Sequence, residues 1–276
     1  ARQCAHRTFQ FALGGRGDPD QHEYFEEVLR ISREIHIVPN FTSSGYGFDS
    51  RIVTLCKKYC GAVAISWYRN EYTLRAIRML LEQGVRTNIH YVLSRSTLKE
   101  AIELLEQDSF PGGINAVIFL LHKPAGLGKS DQVLTSSDPE LQYFFHLIDQ
   151  GSFHHKIGFD SCSVPGLLNY TEAIERMSLD TCEGARWSAY ISSGMMMTPC
   201  SFDSQGKGWG VDLRKYNIEE AWNSEAFERF REQFHMSCSQ CDKRAFCMGG
   251  CPIYPSVVLC DNHQTELTAM DTISCS

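Results

Sequence analysis

Three features that would restrict the function of this chain are missing from its sequence. No run of 18 apolar residues occurs, so no helical membrane span is predicted. Basic residues are outnumbered, with 26 Lys and Arg against 33 Asp and Glu, whereas a binder of nucleic-acid phosphates needs a basic face. The first residues lack the apolar core of a signal peptide, which favours a cytoplasmic protein. Neither a membrane nor a nucleic acid is therefore expected as a partner.

Cysteine is the residue type present in excess. The 276-residue chain has 12 Cys, of which four lie in residues 1–181 and eight in residues 182–276. A secreted disulfide scaffold is usually short and has Cys throughout its length. A large chain of ordinary globular composition, 43% hydrophobic and 21% charged, with Cys crowded at one end is better interpreted as an intracellular metal protein.

The first 160 residues alternate short apolar runs with amphipathic stretches, which predicts an α/β fold with a parallel sheet. Strands are predicted at 8–13, 35–38, 62–67, 86–93, 115–121 and 157–160, and helices at 22–33, 48–59, 71–83, 98–107 and 139–149. From residue 166 the pattern breaks, with one clear helix at 218–234. We therefore predict two domains, 1–165 and 166–276.

Ligands of parallel sheets bind at the carboxyl ends of the strands. Polar or glycine residues follow several predicted strands there, at Gly14-Gly15, 42–45, Ser66 and 122–124. Asn88 and His90 stand at alternate positions of one strand and so share a face. This edge of the sheet is the predicted binding face.

The strongest motif is the run C-x2-C-x5-C-x3-C, with Gly249-Gly250 allowing a tight turn before its last cysteine. Three further cysteines make seven; the set is Cys182, Cys200, Cys238, Cys241, Cys247, Cys251 and Cys260. Four thiolates suit either a tetrahedral zinc ion or an iron–sulfur cluster, and the spacing alone does not decide between them. Seven ligands are too many for one site, which indicates two.

Cys182-x11-Gly194-x5-Cys200, the C-x2-C-x5-C-x3-C run and Cys260 together resemble the SPASM domain of radical S-adenosylmethionine enzymes. The glycine of that family usually stands one residue closer to the second cysteine. Upstream, residues 12–19 are similar to the family's Gly-Gly-Glu-Pro turn after the second barrel strand, with an inserted Arg16 and with Asp18 in place of Glu. The resemblance covers nearly the whole chain. It implies a partial (β/α)6 TIM-like barrel followed by a small Cys-rich auxiliary-cluster domain.

The resemblance also implies two auxiliary [4Fe–4S] clusters. Cys182, Cys200 and Cys251 would hold the first cluster, and the second would be held by Cys238, Cys241, Cys247 and Cys260. One iron of the first cluster is then left without an assigned protein ligand. Either a substrate thiolate or Cys162 would complete it.

S-adenosylmethionine is the second implied cofactor. Its predicted binding residues are Gly14, Gly15, Asp18, Ser43, Ser66 and Asn88. In this family a reduced [4Fe–4S] cluster cleaves the cofactor to a radical that abstracts a substrate hydrogen. The implied function is oxidative modification of a peptide or protein, either thioether formation in a ribosomally made peptide or sulfatase-type oxidation. The implied partners are that substrate and an electron donor such as flavodoxin or ferredoxin.

The C-x3-C-x2-C motif that holds the catalytic cluster of this family is absent. Cys56 and Cys60 lie four residues apart on a predicted helix but lack a third thiol, so they are interpreted as core residues. We therefore expect a chain that lacks its amino-terminal cluster segment and is inactive alone, with a third cluster only in the intact protein. The alternative is a catalytically inactive iron–sulfur or zinc-binding module that docks a peptide.

Overall fold

A computed structural model describes residues 1–203, 208–235, 238 and 241–260. Its larger sheet has six strands in the order β1 to β6, and the pairings among β1 to β4 are parallel. The strands are β1 Gln10–Leu13, β2 Val38–Ser43, β3 Val63–Ser66, β4 Thr87–Leu93, β5 Ala116–Leu121 and β6 Lys156–Phe159. The helices between them are α1 Phe25–Glu34, α2 Ser50–Tyr59, α3 Glu71–Glu82, α4 Leu98–Glu106 and α5 Pro139–Gln150. The predicted α/β class with a six-stranded parallel sheet is confirmed.

The second strand differs from its prediction at 35–38. The strand begins at Val38 and continues through Pro39 to Ser43, so this proline does not end it. In a parallel strand, successive residues bond alternately to the two neighbouring strands, and the Pro39 carbonyl accepts from Gly61 on the β3 side. Pairing with β3 begins only at Phe41 opposite Val63, so the N–H that Pro39 lacks removes no bond of the ladder.

The chain divides into two compact units. Unit 1 comprises Ala1–Val92, Asp108–Phe119 and Phe153–Gly158, and unit 2 comprises Leu93–Gln107, Leu120–Ser152 and the chain from Phe159 onward. The core of unit 1 includes the fully buried Leu29, Ile37, Ile65 and Ile89. The domain boundary predicted at 165/166 stays a prediction.

Unit 2 includes the cysteine-rich region and its supporting elements. These are α6 Val164–Tyr170, the strands β7 Tyr190–Ile191, β8 Met196–Thr198 and β9 Val211–Asp212, and the helices α7 Ile218–Trp222, α8 Glu225–Glu232 and α9 Arg244–Cys247. Strands β7, β8 and β9 form an antiparallel sheet. Phe227, Phe230 and Phe234 pack with Met197 and Val211 in a buried cluster.

The single helix predicted at 218–234 is wrong, because the chain forms α7 and α8 separately. The Ser224 side chain accepts a hydrogen bond from the Phe227 N–H and so caps a new helix start. Asn217 and Glu220 form a capping box at the start of α7. Capping side chains thus divide an apolar periodicity that is continuous in the sequence.

Within the described residues, no helix is both long enough and apolar enough to cross a membrane.

Candidate metal centres and cofactor site

Four of the predicted cysteine ligands line one cavity in unit 2. Cys238, Cys241, Cys247 and Cys260 are called the second thiol group below. The cavity has an empty volume of about 350 Å³, part of it open to solvent. Lys243 and Arg244 also line it. The structure therefore brings to one cavity the four side chains that the family resemblance assigns to one cluster.

The second thiol group is held by contacts from α6. The Asn169 side chain donates to the Leu259 carbonyl at 3.0 Å and accepts from Lys243 Nζ at 2.7 Å. One side chain thereby fixes the segment that leads into Cys260 and the helix that ends at Cys247. Lys243 places a positive charge beside a site whose ligands are negative when they bind metal.

The remaining assigned ligands form a separate set. Cys182, Cys200 and Cys251, called the first thiol group below, each lie within electrostatic range of the other two. Burial raises the pKa of Cys182 to about 12 and also raises the pKa of Cys200. Burial likewise raises the pKa of Cys247, in the second thiol group, to about 11. Thiols in such surroundings become ligands when a metal cation replaces their protons.

A sharp turn separates the two thiol groups. Met248, Gly249 and Gly250 have φ values of 53°, 85° and 80°, so three consecutive residues are left-handed. Because of this turn, Cys247 and Cys251 join different groups although only three residues lie between them. A Cβ atom on Gly250 would lie 2.7 Å from Val258 Cγ2, so this position requires glycine for space as well as for φ.

A buried ion pair lies beside the first thiol group. Lys123 Nζ donates to Asp160 Oδ2 at 2.6 Å and to the Leu121 carbonyl at 2.7 Å, and only 2% of the Lys123 side chain is exposed. Burial is the largest effect on the pKa of Lys123 and lowers it, but Asp160 and Cys162 more than offset this and raise it. Lys123 therefore stays a cation close to the thiols.

Cys162, the alternative closing ligand, reaches the first thiol group. Its thiol is hydrogen-bonded with that of Cys251, and this bond lowers the pKa of Cys251 and raises the pKa of Cys162. The Tyr254 N–H also donates to Cys251 Sγ at 3.4 Å. Cys162 and the Tyr254 backbone thus both contact the Cys251 sulfur.

The spacing of these thiols bears on the choice between zinc and a cluster. In the part of the chain that the structure describes, no group of three or more His, Cys, Asp or Glu side chains could hold a metal ion. Ligands of one zinc ion converge closely because each Zn–S bond is about 2.3 Å long. Thiolates around a cluster bind different irons and so lie farther apart. Among the described residues, these thiols therefore lack the close grouping that one zinc ion requires.

The predicted cofactor residues gather in unit 1. Asp18 accepts from the Ser44 N–H at 2.7 Å and from the Ser44 hydroxyl, so it ties the turn after β1 to the end of β2. Ser43 Oγ accepts from the Gly45 N–H at 3.0 Å. A Cβ atom at Gly14 or Gly15 would have no neighbour within 4 Å, which leaves their backbone open to a ligand.

The next two strands supply the other polar groups. Ser66, at the end of β3, pairs in register with His90 of β4. Asn88 Oδ1 accepts from Asn115 Nδ2 at 2.7 Å, and His90 Nδ1 lies 3.1 Å from the Thr42 hydroxyl. Burial lowers the pKa of His90 to about 4, so its ring is neutral at physiological pH. Thr42, Ser66, Asn88 and His90 form a half-buried polar row, in which Ser66 ends β3 whereas Asn88 and His90 are the second and fourth residues of β4.

The other cysteines fall outside both groups. The eleven cysteines that the structure describes are in no disulfide bond. Cys56 is buried and its thiol is hydrogen-bonded with Cys60, which together with burial raises the pKa of Cys56. Cys275 lies outside the described residues.

Lys123 and Asp160 could have been predicted as a pair from their positions in the sequence. Lys123 follows β5 and Asp160 follows β6, which are neighbouring strands. Oppositely charged residues after adjacent parallel strands lie at the same sheet edge. The pattern therefore predicts their ion pair. Asp20 carried no comparable signal, although it is buried and burial raises its pKa.

Residues 182–242 match the SPASM family model, described as an iron–sulfur cluster-binding domain. This range includes four assigned ligands and all of β7 to α8; the ligands are Cys182, Cys200, Cys238 and Cys241. No curated protein matches the sequence.

Solved structures show the fold over nearly the whole chain. Streptococcus suis SuiB bound to S-adenosylmethionine matches with a TM-score of 0.68 and 16% identity, over 95% of this chain and 68% of that one. SuiB bound to precursor peptide SuiA has a TM-score of 0.69 and 15% identity, over 94% and 66% of the two chains. Native anSMEcpe with bound AdoMet and the Kp18Cys peptide has a TM-score of 0.65 and 15% identity, over 97% and 84%. The predicted resemblance is confirmed to this extent: the chain shares the fold of these structures, and residues 182–242 match the SPASM model.

The turn at Gly250 provides a test of how the two groups are separated. We expect Gly250→Ala to lower the denaturant midpoint and the bound metal, because the new methyl would need Val258 to move. Gly84→Ala is the matched control, since Gly84 has φ +69° and no atom within 4 Å of an added Cβ. In the control, only the strain of placing alanine at a positive φ should lower the free energy of unfolding, by about 1 kcal/mol. Equal losses in the two variants would contradict the steric role.

His90 gives unit 1 a predicted pH dependence. Its pKa is about 4 in the fold and 6.5 ordinarily, so between these values the unfolded chain binds a proton that the folded chain does not. Its contribution to stability is complete above pH 6.5 and is lost as the pH falls toward 4. This loss lowers the free energy of unfolding by at most about 3 kcal/mol.

Urea unfolding at several pH values should therefore show a shallower loss of stability for His90→Gln than for the wild type. His146→Gln, at an exposed position, is the control and should follow the wild type. Parallel pH profiles for wild type and His90→Gln would rule out this role of the buried ring.

Proposed function

We propose that this chain is part of a radical S-adenosylmethionine iron–sulfur oxidoreductase that modifies a peptide or protein. One observation carries the proposal: seven half-buried cysteines divide into two groups, and four of the seven lie in the residues that match an iron–sulfur cluster-binding domain. Seven thiols exceed the four that one zinc ion requires.

Each thiol group would hold one auxiliary [4Fe–4S] cluster. Cys238, Cys241, Cys247 and Cys260 provide four thiolates in one cavity. The first thiol group provides three more around a second position. When bound, such clusters supply one-electron acceptors close to a substrate. The positive charges of Lys243 and Lys123 offset the negative charge of thiolate-bound iron.

The polar row of unit 1 is the proposed S-adenosylmethionine site. The open backbone at Gly14 and Gly15 would approach the methionine part, and Asp18 would accept from its amino group. Asp18 keeps capacity for this bond because a carboxylate has about four acceptor positions and Ser44 uses two. Ser43, Ser66 and Asn88 would bind the carboxylate or ribose.

The proposed substrate is a peptide. SuiB and anSMEcpe, which share this fold, have been solved with a precursor peptide and with the Kp18Cys peptide, respectively. Thioether formation removes one hydrogen from a thiol and one from carbon, so two electrons must leave the substrate. Sulfatase-type oxidation has the same requirement. One of the two would leave with the hydrogen atom that the cofactor-derived radical abstracts from carbon. The auxiliary clusters would carry the other to an external redox partner such as flavodoxin or ferredoxin, in the cytoplasm, and the same partner class would donate the electron that cleaves the cofactor.

The sequence contains no C-x3-C-x2-C motif, and we propose that the radical-generating step requires a third cluster that these 276 residues do not bind. In this proposal the 276 residues bind the auxiliary clusters, the cofactor and the peptide, and they are inactive alone. The competing interpretation, a zinc-stabilised docking module, makes the opposite prediction about bound metal.

Anaerobic iron, sulfide and zinc analysis after reconstitution tests the proposal. We expect a brown protein with about eight irons and eight sulfides, because two clusters with four irons each are held. Cys241→Ser should lose about half of the iron, since it removes one ligand of the second thiol group only. Cys60→Ser is the matched control and should keep the full iron content. A colourless protein with one or two zinc ions would contradict the proposal.

A further inference from the structure

Cys162 occupies a fixed position next to the first thiol group. It is the middle residue of a short 3-10 helix, Ser161–Ser163, that directly follows β6 and Asp160. Asp160 Oδ1 accepts from Ser163 Oγ at 2.8 Å, and Oδ2 accepts from the Leu121 N–H at 3.2 Å. The segment is therefore anchored on both sides of the thiol.

The contact made by Cys162 is with a residue already assigned to a cluster. Its thiol is hydrogen-bonded with Cys251, and Cys251 is in turn within electrostatic range of Cys182 and Cys200. Apart from these, the sequence contains no cysteine between Cys60 and Cys238. Cys162 is thus the one additional thiol that the described residues bring to this group.

We propose that Cys162 is the fourth protein ligand of the first auxiliary cluster, which makes that cluster closed to substrate. The proposal rests on the proposed function, because it assumes that the first thiol group holds a [4Fe–4S] cluster. Three thiolates would leave one of four irons open, and a fourth thiolate closes it. A closed cluster has no position for a substrate sulfur and acts in electron transfer alone.

The surrounding charge supports four thiolates here. Lys123 lies within electrostatic range of Cys162, Cys200 and Cys251, and its Nζ is held by Asp160 and the Leu121 carbonyl. The Phe202 ring covers this ammonium group at 4.9 Å. A buried cation facing three thiols offsets part of the negative charge that an additional thiolate brings. The electrostatic attraction between Lys123 and Cys162 would be weaker if Cys162 were a neutral thiol that bound no metal.

The test uses the reconstituted wild-type chain, Cys162→Ala, Cys162→Ser and Ser161→Ala. Ser161→Ala is the matched control, because it truncates the neighbouring side chain of the same helical turn and leaves every thiol in place. The probe is ¹³C-labelled cyanide, which binds an open iron and is detected by its hyperfine coupling in pulsed EPR of the reduced protein. Iron content is measured before and after mild oxidation.

We expect no ¹³C coupling in the wild type or in Ser161→Ala. Cys162→Ala should show the coupling and should lose about one of its eight irons on oxidation, because one iron is then without a protein ligand. If Cys162→Ala does not fold, Cys162→Ser replaces it. Its oxygen ligand should shift the reduction potential of one cluster and leave the other unchanged.

Cyanide coupling in the wild type would overturn the proposal and leave the first cluster open to a substrate thiolate. Variants of Cys162 that retain all iron, bind no cyanide and keep both potentials would also overturn it. Both results leave the proposed function intact. A wild-type chain that binds no iron would instead contradict the proposed function itself.

Discussion

The left-handed turn at 248–250 is the constraint on which the arrangement of the cysteines depends. A continuous α9 would carry Cys251 onto the same helix face as Cys247, four residues earlier, and one group would then receive both thiols. Three consecutive residues with positive φ end the helix and redirect the chain. The close packing of Gly250 against Val258 fixes this path. Two separate thiol groups follow from a turn that only glycine-rich sequence adopts easily.

Both groups are built from side chains that are far apart in the sequence but are held by short polar contacts. Thr181 donates to the Cys247 carbonyl at 2.8 Å, which ties the segment before Cys182 to α9. Asn169 performs a similar task for the second thiol group. A metal binds such preorganised ligands without first having to order the chain, and it adds its own binding energy to the stability of the fold.

The sequence predicts elements well where one periodicity dominates, and poorly where a single residue decides. Helix α3 was expected at 71–83 and is Glu71–Glu82, because its apolar stripe is unambiguous. Strand β2 was misplaced because the cost of Pro39 depends on which neighbouring strand its missing N–H would face. The grouping of the cysteines came from a family resemblance, since spacing alone does not show that Cys247 and Cys251 diverge. The sequence also does not show that the thiol of Cys162 lies next to that of Cys251, because this contact exists only in the folded chain.

The buried Lys123–Asp160 pair is better explained by function than by stability. The attraction within a buried ion pair seldom exceeds the free energy needed to remove both charges from water. Apolar residues of similar volume would therefore make the fold at least as stable. Asp160 anchors the Cys162 turn, and Lys123 faces Cys162, Cys200 and Cys251. A cation held rigidly beside thiolates favours the more negative, reduced state of a cluster. The pair therefore joins the residues after β5 and β6 to the first thiol group, where the proposed function places a cluster.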